Sequence, residues 1–240
     1  MSYEIPTAKY IDFLDKTIEI HWDYHALLMF GIWFVLIPAA LLFIRFGKPK
    51  PTTYGIPLGI SRFDRRLLWW TLHYSLLYLA IALSIAGALI AIWLSGGFSG
   101  TLHAWFGSGT ILLGTLQIIS AWFRGSHGGK HGAESDPQDR STWSGDHFDM
   151  TAKRRWFEVY HKTAGYIVIV MAVGAVASGL WQFWMPGIAI AFILVMIVVL
   201  ILATALQAYG LNVDTYQSVY GNHPDHPFNK RRSSKGQSPD

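Results

Sequence analysis

Two stretches of this chain contain no Asp, Glu, Lys or Arg at all: residues 67–123 and residues 163–213. A membrane-crossing helix needs about 20 predominantly apolar residues, so each run is long enough for two crossings with a turn between them. A helix buried in a soluble domain is shorter and keeps charge on its water-facing side. With a further apolar run at 25–46, the pattern predicts an all-α integral membrane protein with five transmembrane helices. Only 14% of the 240 residues are charged, against about a quarter in a typical soluble domain.

The expected spans are 25–46, 67–94, 102–123, 156–184 and 187–209. "GKPKPTTYGIPLG", "SGGFSG" and "MPG" break the apolar runs with turn-forming residues. The polar, Gly-, Ser- and Asp-rich stretch 124–155 separates the third span from the fourth. The expected organisation is an N-terminal tail (1–24), a membrane domain (25–209) and a C-terminal tail (210–240). Residues 8–24 suggest a helix lying on the membrane surface, because Tyr10, Leu14, Ile18 and His21 share one stripe; a loose polar tail is the equal alternative. The tail after Tyr209, which ends in Pro, Ser and Lys residues, reads as disordered or partner-bound.

Lys and Arg fix an orientation. Six lie from the end of the first span to the start of the second (Arg45, Lys48, Lys50, Arg62, Arg65, Arg66), and six between the third and fourth (Arg124, Lys130, Arg140, Lys153, Arg154, Arg155). Lys230, Arg231, Arg232 and Lys235 follow the last span, whereas the opposite side has only Lys9 and Lys16. This bias predicts the N-terminus outside and the C-terminus in the cytoplasm. The net charge of +4 is therefore a membrane-side asymmetry and not a nucleic-acid signal. The chain has no cysteine, which excludes disulfides, thiolate metal sites and covalent haem attachment through C-x-x-C-H. The first twenty residues lack the basic start and apolar core of a signal peptide. The lack of a targeting segment and the short outer tail point to a bacterial inner membrane.

Four histidines fall in the predicted helices: His25, His73, His103 and His161. Ionisable side chains inside a membrane are costly and by default functional. His25 and His103 start descending helices, and His73 and His161 follow the cytoplasmic arginines of ascending ones. At 1.5 Å rise per residue the two levels lie roughly 20 Å apart. If the helices pack in sequence order, the first faces the third and the second faces the fourth, so each level brings two imidazoles together. Opposed imidazoles across a helical bundle are the ligand set of a six-coordinate b-type haem, so two haem b are expected. Gly107 and Gly165 each follow a histidine by four residues, where a missing side chain admits a flat macrocycle. Gly109, Gly114, Gly174 and Gly179 extend these small-residue tracks. The plainer readings are interhelical hydrogen bonding for a histidine and close helix packing for a glycine. Tryptophans near the helix ends, such as Trp22, Trp69, Trp93 and Trp184, read as an interfacial belt. His21, one turn before His25, is the rival ligand on the first span.

The surrounding residues also resemble a known family. "HALLMFGIWFVLIPAALLFIRF", "TLHAWFG" and "RRWFEVYHKTAGYIVIV" resemble haem helices of the cytochrome b561 family, and "WWTLHYSLLYLAIALSIAG" resembles the remaining one more loosely. The resemblance covers residues 21–209. The five-helix layout is similar to the membrane domain found behind extracellular dopamine-monooxygenase-like domains, although no such domain is present in this sequence. The resemblance implies a transmembrane electron-transfer cytochrome with two b haems, the first histidine paired with the third and the second with the fourth. Arg155 matches the family's basic residue at the cytoplasmic site. Ascorbate-using members place a lysine two residues before the second haem histidine; here that residue is Thr71, which argues against ascorbate as the donor. Arg65, Arg66 and Lys162 are candidates for haem propionates or an anionic donor, with the positive-inside rule as their plainer reading.

The loop 124–155 carries His127, His131, Asp136, His147 and Asp149, which have the donor types for a metal site; a hydrated glycine-rich loop is the commoner use of such a sequence. No flavin or nicotinamide motif is present, so electrons must come from a partner protein or a diffusible reductant such as quinol. The expectation is thus a diheme transmembrane cytochrome. Its rivals are an accessory subunit of a larger respiratory or photosynthetic complex, a proton-coupled transporter and a structural membrane scaffold. Donor, acceptor and direction of electron flow are not readable from the sequence.

Overall fold

The computed structural model describes residues 5–57, 59–125, 150–226, 229–230 and 233. Among these residues five helices are long and apolar enough to cross a membrane: α1 (Trp22–Phe46), α2 (Leu68–Leu94), α3 (Leu102–Trp122), α4 (Ala152–Gln182) and α5 (Pro186–Ala208). The chain is an integral membrane protein. A short hairpin, β1 (Ala8–Ile11) and β2 (Lys16–Glu19), precedes the helices, and α6 (Thr215–Tyr220) follows them.

The helix ends follow from local chemistry. After α2 the N–H of Gly97 donates to Ile92 O at 2.9 Å, and Gly96 and Gly97 take positive φ that a side chain would oppose. Pro186 opens α5, where its missing N–H costs nothing. Within α1, Gly31–Leu36 is π-helical, with the Ile37 N–H donating to Ile32 O. Pro38 has no N–H to offer the carbonyl four residues earlier, and the widened turn just before it accommodates that loss.

The chain divides into two compact units. The first comprises residues 1–39, 75–119 and 163–201. Its core is Phe30, Ile32, Trp33, Phe34, Ile37, Ala80, Ile81, Val168 and Ala172. In lipid, such packing gains from van der Waals fit more than from apolar burial, so small residues matter. A Cβ on Gly114 would come within 2.5 Å of Ile81, and one on Gly174 within 3.0 Å of Phe106. Phe34 meets Phe192 of α5 edge-on at 4.9 Å.

Also in the first unit, residues 8–24 correct the sequence expectation. They are neither an interfacial helix nor a loose tail. β1 and β2 pair antiparallel, with Lys9 opposite Ile18 and Ile11 opposite Lys16, and α1 begins at Trp22. Tyr10, Thr17 and Ile18 favour extended backbone, and Asp12 and Asp15 favour the turn. Asp15 takes φ 47°, and its carboxylate accepts from the Tyr10 hydroxyl. These preferences outweigh a helical stripe too short to nucleate by itself. Lys9 donates to Trp93 O and lies over the Trp93 ring, and the indole N–H of Trp22 donates to Pro6 O at 2.8 Å.

The second unit comprises residues 40–74, 120–162 and 202–240. Here the C-terminal tail is a second correction, because residues 210–226 are folded. Asp214 caps α6 through the N–H groups of Tyr216 and Gln217. The segment then docks on residues 48–56: Ser218 Oγ donates to Pro49 O, Ile56 N to Val219 O and Asn222 N to Thr52 O, at 2.8–3.0 Å. Gly55 and Gly221 permit this approach, since a Cβ on either would lie within 2.4 Å of the facing backbone. Burial lowers the pKa of Lys48, against the opposing pull of Asp214.

Candidate functional site: two histidine pairs

In the first unit, His25 sits in the first turn of α1 and His103 in the first turn of α3, and their ring centres lie 6.2 Å apart, edge to face. Thr101 caps α3, its Oγ accepting from Ala104 N, and Trp22 packs edge-on against His25. The rival His21 is exposed, serves as the residue before α1 and contacts Tyr24.

His103 is anchored from α4. Its Nδ1 lies 2.8 Å from Ala175 O, and it packs so closely on Gly179 that a Cβ there would lie 2.8 Å from Nδ1. A carbonyl only accepts, so Nδ1 carries the proton and Nε2 is bare. Both histidines line an apolar cavity of about 230 Å³, together with Trp33, Phe34, Gly107 and Val176. A Cβ on Gly107 would meet nothing within 4 Å, so this glycine leaves open space beside the histidines.

In the second unit, His73 of α2 is 8% exposed, and its Nδ1 lies 3.1 Å from Ala40 O. The acceptor again assigns the proton to Nδ1 and leaves Nε2 bare. Trp70 tilts over His73 at 6.1 Å, and Arg124 lies over Trp70. His161 of α4 stacks on Phe157 at 5.1 Å, and Arg154 lies over the other part of that assembly, 5.5 Å from the Phe157 ring centre. His73 and His161 both lie in this unit.

The remaining expected residues divide. Gly165 lies in the first unit, where a Cβ would approach only Gln117, at 3.8 Å. Lys162 has a 73% exposed side chain and pairs with Glu158 at 3.8 Å. Arg155 is exposed, and the arginine that reaches inward is its neighbour Arg154, 3.2 Å from Glu158. Arg66 is engaged by Asp64 at 3.0 Å, and that hydrogen bond holds the Asp64 carboxyl down at about 2. His127, His131, Asp136, His147 and Asp149 lie outside the described residues.

Sequence reasoning missed the groups that hold these rings. The carbonyls of Ala40 and Ala175 leave no signature in a sequence. Phe157 was legible in principle, one turn before His161 on the same helix face. The Glu158–Tyr216 hydrogen bond, at 2.8 Å, joins residues 58 apart in sequence, and no local pattern foretells it.

What the arrangement offers chemically is two sets of imidazoles, one ring in each with Nδ1 directed at a main-chain carbonyl and, in the neutral ring, Nε2 available, beside apolar and aromatic side chains. Such nitrogens are ligands for a transition metal. No family model, characterised relative or solved structure matches this chain.

Proposed function

We propose that this protein is a b-type cytochrome carrying two haems, which moves single electrons across a membrane. His25 and His103 would ligate one iron, and His73 and His161 the other. The observation that carries the reading is the His25–His103 pair. Their ring centres lie 6.2 Å apart beside an apolar cavity, close enough for both to serve one iron.

Two further features fit a macrocycle. The cavity beside the pair is apolar, as a porphyrin requires, and Gly107 opens it. His103 and His73 each direct Nδ1 to a main-chain carbonyl, the outer-shell contact that orients ligating histidines.

When bound, haem supplies one-electron redox chemistry, and the protein tunes it. His103 and His73 are held in one tautomer before any iron arrives, which removes an ordering cost. Trp70 and Phe157 brace the second pair and keep water from it. Arg154, at the edge of that aromatic stack, is better placed than Arg155 to meet an anionic propionate or donor. The orientation, with the N-terminus outside, rests on the distribution of Lys and Arg. The donor is a quinol, another small reductant or a redox protein, either diffusing or within a larger complex.

The test is optical. The detergent-purified protein should give oxidised and dithionite-reduced spectra of a low-spin b cytochrome, and a pyridine haemochrome assay should count two haems per chain. A colourless protein would sink the proposal and return the histidines to helix bridging or proton transfer.

A further inference from the structure

Four glycines of α3 and α4 are pressed by a neighbouring side chain, and three of them meet apolar groups: Gly109 meets Met171, Gly114 meets Ile81 and Gly174 meets Phe106. Those three are explained by close helix packing. Gly179 differs, because what lies against it is the His103 ring. A Cβ there would sit 2.8 Å from Nδ1 and 3.1 Å from Cε1.

We infer that Gly179 is a positioning residue: with the Ala175 carbonyl it forms a seat that fixes the tautomer of His103 and thereby sets the reduction potential of the iron that His103 would hold. The tautomer claim stands on the geometry, and the potential claim rests on the haem reading above.

In a regular helix the Ala175 carbonyl already accepts from the main-chain N–H of residue 179. Its second lone pair points sideways, towards the neighbouring helix. A side chain on residue 179 would cover that lone pair, and glycine leaves it open. His103 Nδ1 occupies the opening at 2.8 Å. Ser178 Oγ is the competing donor, 3.2 Å from Ala175 O, but its shorter bond is to Gly174 O at 2.6 Å. The Thr101 cap fixes the main chain at the start of α3, so the ring cannot follow its acceptor if α4 becomes bulkier. An Nδ1–H···O=C bond makes the ligating Nε2 more basic. A more basic ligand favours the oxidised, more positively charged iron and lowers the potential. Weakening the bond raises it.

The first experiment reads the tautomer in the full-length purified protein, labelled with ¹⁵N-histidine and reduced with dithionite so that any low-spin iron is diamagnetic. His103, assigned by the signals lost in His103→Gln, should show a proton coupled to Nδ1 and none on Nε2. A bare Nδ1 in the wild type overturns the inference, and this reading does not depend on any Gly179 variant. The second compares Gly179→Ala with Gly174→Ala, which crowds Phe106 on the same helix. Gly179→Ala should raise the potential of one haem and leave the other, while Gly174→Ala should leave both as in the wild type. Unchanged potentials in Gly179→Ala, or equal shifts in both variants, overturn the positioning role. A colourless wild type overturns the potential claim together with the haem reading, whereas a diheme protein with unchanged potentials in Gly179→Ala overturns this inference alone.

Discussion

The two histidine pairs are held by opposite means. Around His25 and His103 the decisive residues are glycines, one leaving a cavity open at Gly107 and one letting a ring approach a main-chain carbonyl at Gly179. Around His73 and His161 the decisive residues are large: Trp70 and Phe157 lie on the rings, with Arg124 and Arg154 over those aromatics. A site can be shaped by what is left out or by what is packed in, and the two respond differently to substitution. Adding atoms threatens the first, and removing them threatens the second.

The largest expected effect tests whether the two sites are separate. His103→Ala should abolish one of two haems in the haemochrome count, and His73→Ala the other, each leaving the partner site's reduced spectrum in place. If either substitution removed both haems, or if both removed the same one, the assignment of one pair to each iron would fail. The next effect separates an open glycine from a packed one. Gly114→Val drives atoms into Ile81, 2.5 Å from its would-be Cβ, and should cost about 1–3 kcal/mol by overpacking. Gly107→Val meets open space, so it should leave stability in detergent near that of the wild type and lower haem content instead. Thermal melting followed by haem-independent tryptophan fluorescence distinguishes the two. Equal destabilisation by both would mean that the space beside Gly107 is not a ligand's.

These contrasts also mark how far the sequence could be read. The five spans were legible because a membrane admits so few solutions: two charge-free runs and three turn segments leave little choice but helices. The histidines stood out because such residues are rare there, and helical spacing drew attention to Gly107. Two kinds of feature stayed hidden. Main-chain acceptors such as Ala40 O and Ala175 O belong to residues whose side chains say nothing, and Gly179 gave no sign of which neighbour would use its space. The hairpin at 8–19 was misread because a four-residue stripe fits a helix as well as a strand, and the turn chemistry of Asp12 and Asp15 settled the matter. The tail after α5 was misread because its polar composition resembles disorder, while the contacts that fix it, Ser218 to Pro49 and Tyr216 to Glu158, span 169 and 58 residues.

The smallest effect probes the polar side of the second unit. Tyr216 Oη donates to Glu158 at 2.8 Å, and burial together with that bond pushes the phenol pKa above its ordinary value. The folded chain therefore keeps this proton at a pH where the unfolded chain has lost it. The resulting stabilisation is complete below about pH 10, the ordinary tyrosine value, and is lost as pH rises above it. A hydrogen bond to a carboxylate is worth about 1.5–3 kcal/mol when buried, and partial exposure of both groups reduces this to about 1 kcal/mol. Tyr216→Phe should therefore speed amide hydrogen exchange in α6 roughly fivefold at pH 8. The same comparison at pH 10.5 should show a narrower gap, because the wild-type phenol begins to lose its advantage there. Exchange confined to α6 would also show that the tail docks as a local unit, while an equal acceleration across α4 would mean that the Tyr216–Glu158 bond braces the helix bearing His161.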